Sequence, residues 1–126
     1  MLGNKDAIAT AAVKDLETAK RFYEEKLGLK PVQPGDQQTV MYKTGGSSLL
    51  VYASQFAGTN KATTVTWSVG SEFDDIMQSL QAKGVSFEHY DGMPEVTRQG
   101  DVHKVGDLKL AWFKDPDGNI HHLISM

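Results

Sequence analysis

Residues 64–84 read TVTWSVGSEFDDIMQSLQAKG, and two periods succeed each other within them. Over residues 64–69 polar Thr64, Thr66 and Ser68 alternate with apolar Val65, Trp67 and Val69, the period of two expected of a strand with two chemically different faces. Phe73, Ile76, Met77 and Leu80 then follow at i, i+3, i+4 and i+7, which predicts a helix with one buried stripe. Ser71 is the expected N-cap, and Gly84 is the expected stop, because glycine takes the left-handed backbone that ends a helix. Residues 85–90 read as a further strand.

The same order occurs earlier in the chain. Residues 7–13 form a small, apolar strand. Asp15 caps a helix whose apolar positions are Leu16, Ala19, Phe22, Tyr23 and Leu27, and Gly28 ends it. Residues 39–43 and 47–52 flank Thr44-Gly45-Gly46, a hairpin in which the paired glycines are expected to supply positive φ angles. The second unit closes with strands at residues 108–114 and 120–125 across Asp115-Pro116-Asp117-Gly118-Asn119. In that turn Pro116 sets φ, Gly118 takes positive φ, and the Asp and Asn side chains bond local backbone. Val13 and Val69, Gly28 and Gly84, and Leu29 and Val85 are each separated by 56 positions. Two strand-helix-strand-strand-strand units of this kind cannot bury their apolar faces alone and must pair. The units span about residues 5–53 and 63–126 of one domain covering 1–126, with residues 53–62 as linker.

The 126 residues suit a single core, and 40% hydrophobic with 23% charged residues excludes a disordered chain. With no cysteine there is no disulfide framework, thiolate zinc site or cysteine nucleophile. A net charge of −3 with scattered Lys and Arg gives no basic stripe for nucleic acid. Lys5, Asp6, Lys14 and Asp15 interrupt the N-terminal apolar residues, so neither a signal peptide nor a membrane span is expected, and the protein is expected in the cytoplasm.

The stretches Val13-Lys14-Asp15-Leu16-Glu17, Arg21-Phe22-Tyr23 and Lys26-Leu27-Gly28-Leu29, together with Trp112-Phe113-Lys114-Asp115-Pro116-Asp117-Gly118-Asn119, resemble the vicinal-oxygen-chelate superfamily of glyoxalases, bleomycin-resistance proteins and extradiol dioxygenases. The resemblance runs from Ala7 to Ile124. It implies an α+β fold of two tandem βαβββ modules whose mixed sheet curves around a cavity, with helices outside, commonly as a homodimer. Metal ligands in such proteins come from the first and last strands of each module and are usually His, Gln or Glu. Carried over, those positions are Ile8, Thr64, Leu49 or Leu50, and His122. One donor does not make up the roughly three protein ligands of a catalytic metal site, so no metal and no cofactor are expected there.

His122 alternates with Ile120 and Ile124 on the expected cavity face. It reads as a ligand contact or proton-transfer group, or as a core histidine bonded to a neighbouring strand. His121, on the opposite face, reads as structural. Ile8, Thr10, Thr64 and Thr66 are expected to line the cavity, the hydroxyls orienting a polar ligand. Trp112 and Phe113 are consecutive, so one faces the cavity and the other the helices; Trp67 reads as core. Tyr42, Tyr52 and Phe56 are further lining candidates. Glu88, His89 and Tyr90 end a strand and point to alternate faces, against shared acid–base chemistry. Residues 91–106 read as a long loop, either solvated or a lip over the cavity with Arg98 pairing an anionic ligand.

Three functions fit this reading. The first is a glyoxalase- or bleomycin-resistance-like protein binding a small molecule without metal. The second is an enzyme, either a metal-dependent lyase, isomerase or dioxygenase or a metal-free catalyst using His122. The third is an interaction module with an apolar patch in place of a cavity. The expected partners are a small molecule and a second copy of the chain, with neither nucleic acid nor membrane.

Overall fold

The computed structural model describes residue 1 and residues 3–126. Strand β1 (Ala9–Val13) leads into helix α1 (Leu16–Lys20), followed by β2 (Lys30–Pro31), β3 (Thr39–Thr44) and β4 (Ser47–Ala53). The second module contains β5 (Thr63–Ser68), α2 (Phe73–Ala82), β6 (Phe87–Glu88), β7 (Thr97–Gln99), β8 (Val102–Val105), β9 (Leu108–Lys114) and β10 (Ile120–Ile124).

Asp15 caps α1 as its sequence position requires, accepting from the Glu17 N–H at 3.3 Å and the Thr18 hydroxyl at 2.6 Å. The expected single α-helix changes character after one turn, because Arg21–Lys26 is π-helical and Leu27 N–H reaches the Phe22 carbonyl. Both consecutive aromatics, Phe22 and Tyr23, are buried along this stretch. Gly28 and Gly84 end the two helices at φ +71° and +82°. Ser71 does not cap α2. It lies within a short 3₁₀ turn, Gly70–Glu72, entered at Gly70 with φ +56°, and α2 begins beyond it with Asp74 and Asp75 in its first turn. Those carboxylates complement the helix dipole where no side-chain cap does. In the β3–β4 hairpin only Gly45 has positive φ, +55°, so the turn uses one left-handed glycine rather than two.

The first sheet runs β1-β4-β3-β2 and the second β5-β10-β9-β8-β7, with β6 on β9 beside β8. In each module the first strand lies parallel to the last: Thr10 faces Leu50, and Thr66, 56 positions after Thr10, faces His122. Leu50 is therefore the first-module counterpart of His122. The pair Pro31–Tyr42 has its counterpart in Phe87–Phe113, with Phe87 again 56 positions after Pro31. The β7–β8 hairpin has no first-module equivalent. It occupies most of the segment expected as a loop, and it pairs with the early half of β9. β1 and β5 lie side by side at the centre, giving a curved, unclosed α+β arrangement with one face covered by the helices.

Strand alternation divides the faces. Ala11, Val13, Leu49, Val51, Val65, Ala111, Phe113 and Leu123 pack with Leu16, Ala19, Phe22, Tyr23, Phe73, Met77 and Leu80 in one continuous core. A polar chain crosses this core. Trp67 Nε1–H donates to His121 Nδ1 at 3.0 Å, which leaves the neutral imidazole's proton on Nε2, 3.0 Å from the Tyr23 hydroxyl; Tyr23 donates in turn to Asp115 Oδ2 at 2.7 Å. Burial holds His121 at about 4 and raises the Tyr23 phenol, so both remain neutral.

The Asp115–Asn119 turn does more than bond its own backbone. Asp115 Oδ1 accepts the Asp117 and Asn119 N–H groups at 2.9 Å each, as expected, and Gly118 takes φ +85°. The turn also reaches the first module, where Asn119 donates to the Ala12 carbonyl at 2.7 Å and Asp117 accepts the Lys14 N–H at 3.1 Å. With the Tyr23–Asp115 bond, three contacts between residues about a hundred positions apart set β1 against the end of β9 and the start of β10.

Candidate functional site

The face turned away from the helices carries Thr10 and Ala12 from β1, Leu50 and Tyr52 from β4, Thr64 and Thr66 from β5, and Trp112 and His122 from β9 and β10. Thr10 and Thr64, with Tyr52, Phe56 and Asn60, border a hollow of about 400 Å³. A second hollow of about 390 Å³ shares Gly58 and Asn60 with it and is bordered by Lys61, Glu88, Tyr90 and Lys114. The linker thus forms a common wall between them. Gly58 fits there because a side chain would meet the Asp117 carbonyl at 3.3 Å, and its φ is +85°.

His122 stacks on Trp112 with ring centroids 4.6 Å apart and planes 8° from parallel. Trp112 in turn meets His103 edge-on at 4.8 Å and Tyr90 edge-on at 5.3 Å, giving a four-ring cluster on this face. His103 is fully buried, and its Nε2 accepts the Tyr90 N–H at 2.9 Å, which places the neutral ring's proton on Nδ1. Nδ1 completes no hydrogen bond among the described residues. His122 Nε2 is likewise buried and without a hydrogen-bond partner among the described residues. Burial, and secondarily the charge His103 would carry, push His122 below the ordinary imidazole value; burial and then Arg98 do the same to His103. Both rings are neutral near pH 7, so His122 presents a nitrogen able to accept or donate one hydrogen bond.

The structure separates the sequence-derived candidates. Thr10, Thr64, Thr66, Trp112 and His122 share the face, with Ile8 half exposed beyond the first residue of β1. Phe113 does not: it is 1% exposed, stacked 4.9 Å from His121, and belongs to the core, because β9 alternates and Trp112 takes the cavity side. Tyr42 is also core, fully buried with its hydroxyl donating to Glu24 at 2.9 Å. Arg98 lies opposite His103 on the outer hairpin, where Asp91 binds it through Nε at 2.8 Å and Nη2 at 3.0 Å. Its guanidinium is committed to Asp91 rather than open to a ligand. Glu88 and His89 diverge as strand neighbours must, Glu88 pairing with Lys114 at 3.2 Å and His89 with Asp101 at 2.8 Å.

Sequence reasoning left His103 within a loop and set Tyr90 aside with Glu88 and His89, so neither was expected on this face. The available signal was a short run with two β-branched residues, Val102 and Val105, bounded by Gly100 and Gly106, which is the composition of a short strand inside the supposed loop.

The positions implied for metal ligands, Ile8, Thr64, Leu50 and His122, offer one imidazole, one hydroxyl and two hydrocarbon side chains. Among the described residues no three His, Asp or Glu side chains gather to hold an ion. That donor set does not fit a divalent cation.

Two tandem modules, helices on one face and a polar, aromatic-lined opposite face define the glyoxalase-like class of α+β proteins. The chain belongs to the Glyoxalase/Bleomycin resistance protein/Dioxygenase superfamily, whose profile matches residues 7–123. Among solved structures it is similar to lactoylglutathione lyase from Agrobacterium tumefaciens, at 20% identity with a TM-score of 0.71, covering 98% of this chain and 95% of that one. It is also similar to the fosfomycin resistance protein FosX from Mesorhizobium loti, at 13% identity, TM-score 0.69, and 100% and 94% coverage. A third similar structure is the oxidase ChaP-H2, at 20% identity, TM-score 0.71, and 98% and 94% coverage. No curated protein sequence matches the chain. Among the described residues no helix is long and apolar enough to cross a membrane.

Proposed function

We propose that this protein binds a small organic molecule on its polar sheet face without a metal ion at the superfamily's ligand positions. The observation that carries this reading is the donor set itself: only His122 among the four positions is a metal ligand, and its ring is stacked flat on Trp112. Hydroxyls of Thr10, Thr64 and Thr66 and the Trp112–His122 stack supply the mixture of directed hydrogen bonds and flat apolar surface by which small-molecule sites select ligands. Elemental analysis of purified protein, with thermal-shift titrations of zinc, manganese, nickel and ferrous ions, tests it. Far less than one equivalent of metal and no midpoint shift are expected. A stoichiometric metal lost in His122→Ala overturns it.

A second reading, acid–base catalysis without metal, is favoured by one observation, the buried His122 Nε2 with no hydrogen-bond partner among the described residues. A neutral imidazole with a free nitrogen can take a proton from a bound substrate. Under this reading a substrate found by screening is turned over by the purified protein and turnover falls at least a hundredfold in His122→Ala; under the first, ligands bind and none is turned over. We place the protein in the cytoplasm as a homodimer. Exposed Ile8, Tyr52 and Phe56 along the site face support the dimer, and light scattering of the purified chain measures it.

A further inference from the structure

The two hollows on the sheet face differ in charge, and that difference bears on the chemical class of the ligand. The first, about 400 Å³, is bordered by Thr10, Tyr52, Phe56 and Thr64 and carries no ionisable group apart from a phenol. The second, about 390 Å³, is bordered by Lys61, Lys114, Glu88 and Tyr90. Glu88 neutralises Lys114 through their 3.2 Å pair, while Lys61 has no ion-pair partner among the described residues. One uncompensated ammonium therefore faces this hollow in a chain whose net charge is −3. Tyr90 adds a hydroxyl with no protein partner among the described residues, its N–H alone being committed, to His103. Burial and then Glu88 raise that phenol, so it stays a neutral donor.

The hollows adjoin at Gly58 and Asn60, so a ligand reaching across that shared edge would touch both. We propose that the site takes a small organic anion, its uncharged ring or chain in the hydroxyl-lined hollow and its acid group in the hollow formed by Lys61, Lys114 and Tyr90. A carboxylate and a phosphonate or phosphate share the chemistry required, a compact anionic head accepting from ammonium and phenol donors. The linker between the modules, which supplies Phe56 to one hollow and Lys61 to the other, is then the element that sets ligand choice.

This inference rests on the proposed small-molecule function, and the test separates the two. Benzoate, phenylphosphonate and the uncharged isostere benzamide are titrated into the full chain by calorimetry and Trp fluorescence, at low and high salt. Both anions are expected to bind about fivefold or more tightly than benzamide, the scale of one partly exposed charge pair. The preference should shrink at high salt and fall to unity in Lys61→Gln, with Lys114→Gln as a second variant that also frees Glu88. Stronger binding of phenylphosphonate than benzoate assigns the head group as phosphonate-like, and the reverse as carboxylate. If benzamide binds as tightly as the anions and all three are weakened by Phe56→Ala, at a residue that borders the hydroxyl-lined hollow, the site reading holds and the anion proposal is overturned. Failure of all three to bind overturns both.

Discussion

Acidification should destabilise this protein through His121, and the size of the effect follows from its surroundings. The ring is fully buried, accepts from Trp67, contacts Tyr23 and lies against Phe113, so burial lowers it to about 4. In the unfolded chain the same imidazole titrates near the ordinary value of about 6.5. Between these values the unfolded state binds the proton and the native state refuses it, so native stability is full above about pH 6.5 and declines as pH falls toward 4. From pH 7.5 to 4.5 the loss amounts to about 2.5 kcal/mol, a large share of the roughly 5–15 kcal/mol that holds a domain together. His103 and His122, both lowered, act in the same direction; Asp117, raised by burial, acts oppositely. These contributions are common to the wild type and to His121→Phe, so the difference between their pH profiles isolates His121. Urea unfolding at steps from pH 7.5 to 4.5 measures it. His121→Phe should begin less stable, because Trp67 loses its acceptor, yet show a profile flatter by about 2.5 kcal/mol over that range. Equal slopes in the two proteins would refute the reasoning.

Two further substitutions probe the frame that holds the site. Asn119→Ala removes the buried amide bonds to the Ala12 carbonyl and to Asp115, and should lower stability by about 1–3 kcal/mol in urea unfolding. If the turn also sets the spacing of β1 and β10, Trp112 fluorescence should shift as well. Gly28→Ala meets no atom within 4 Å but must hold φ near +71°, so it should cost about 1–2 kcal/mol from backbone strain alone, and Gly28→Asn less.

Much of the frame was legible in the chain. The shared 56-residue offset, the strand alternation around Trp67 and the glycines at 28 and 84 are local properties, each enforced by neighbours a few positions away, and they led to paired modules with Thr10, Thr64, Thr66 and His122 on one face. The choice between Trp112 and Phe113 needed the parity of β9, which only its pairing with β10 sets. The change of α1 to π geometry and the loss of the Ser71 cap likewise depend on packing that no window of sequence contains.

By itself the sequence determined which residues share a strand face and which side chains stand at the positions implied for metal ligands, because side-chain chemistry and the period of two do not depend on distant contacts. Tertiary structure decided what those faces meet. Asp91 claims Arg98, Glu88 claims Lys114 while Lys61 has no ion-pair partner among the described residues, and His103 emerges from a presumed loop to join Trp112 and His122. Each outcome depends on residues brought together by strand pairing or chain closure, which fixes distances that composition and periodicity leave free.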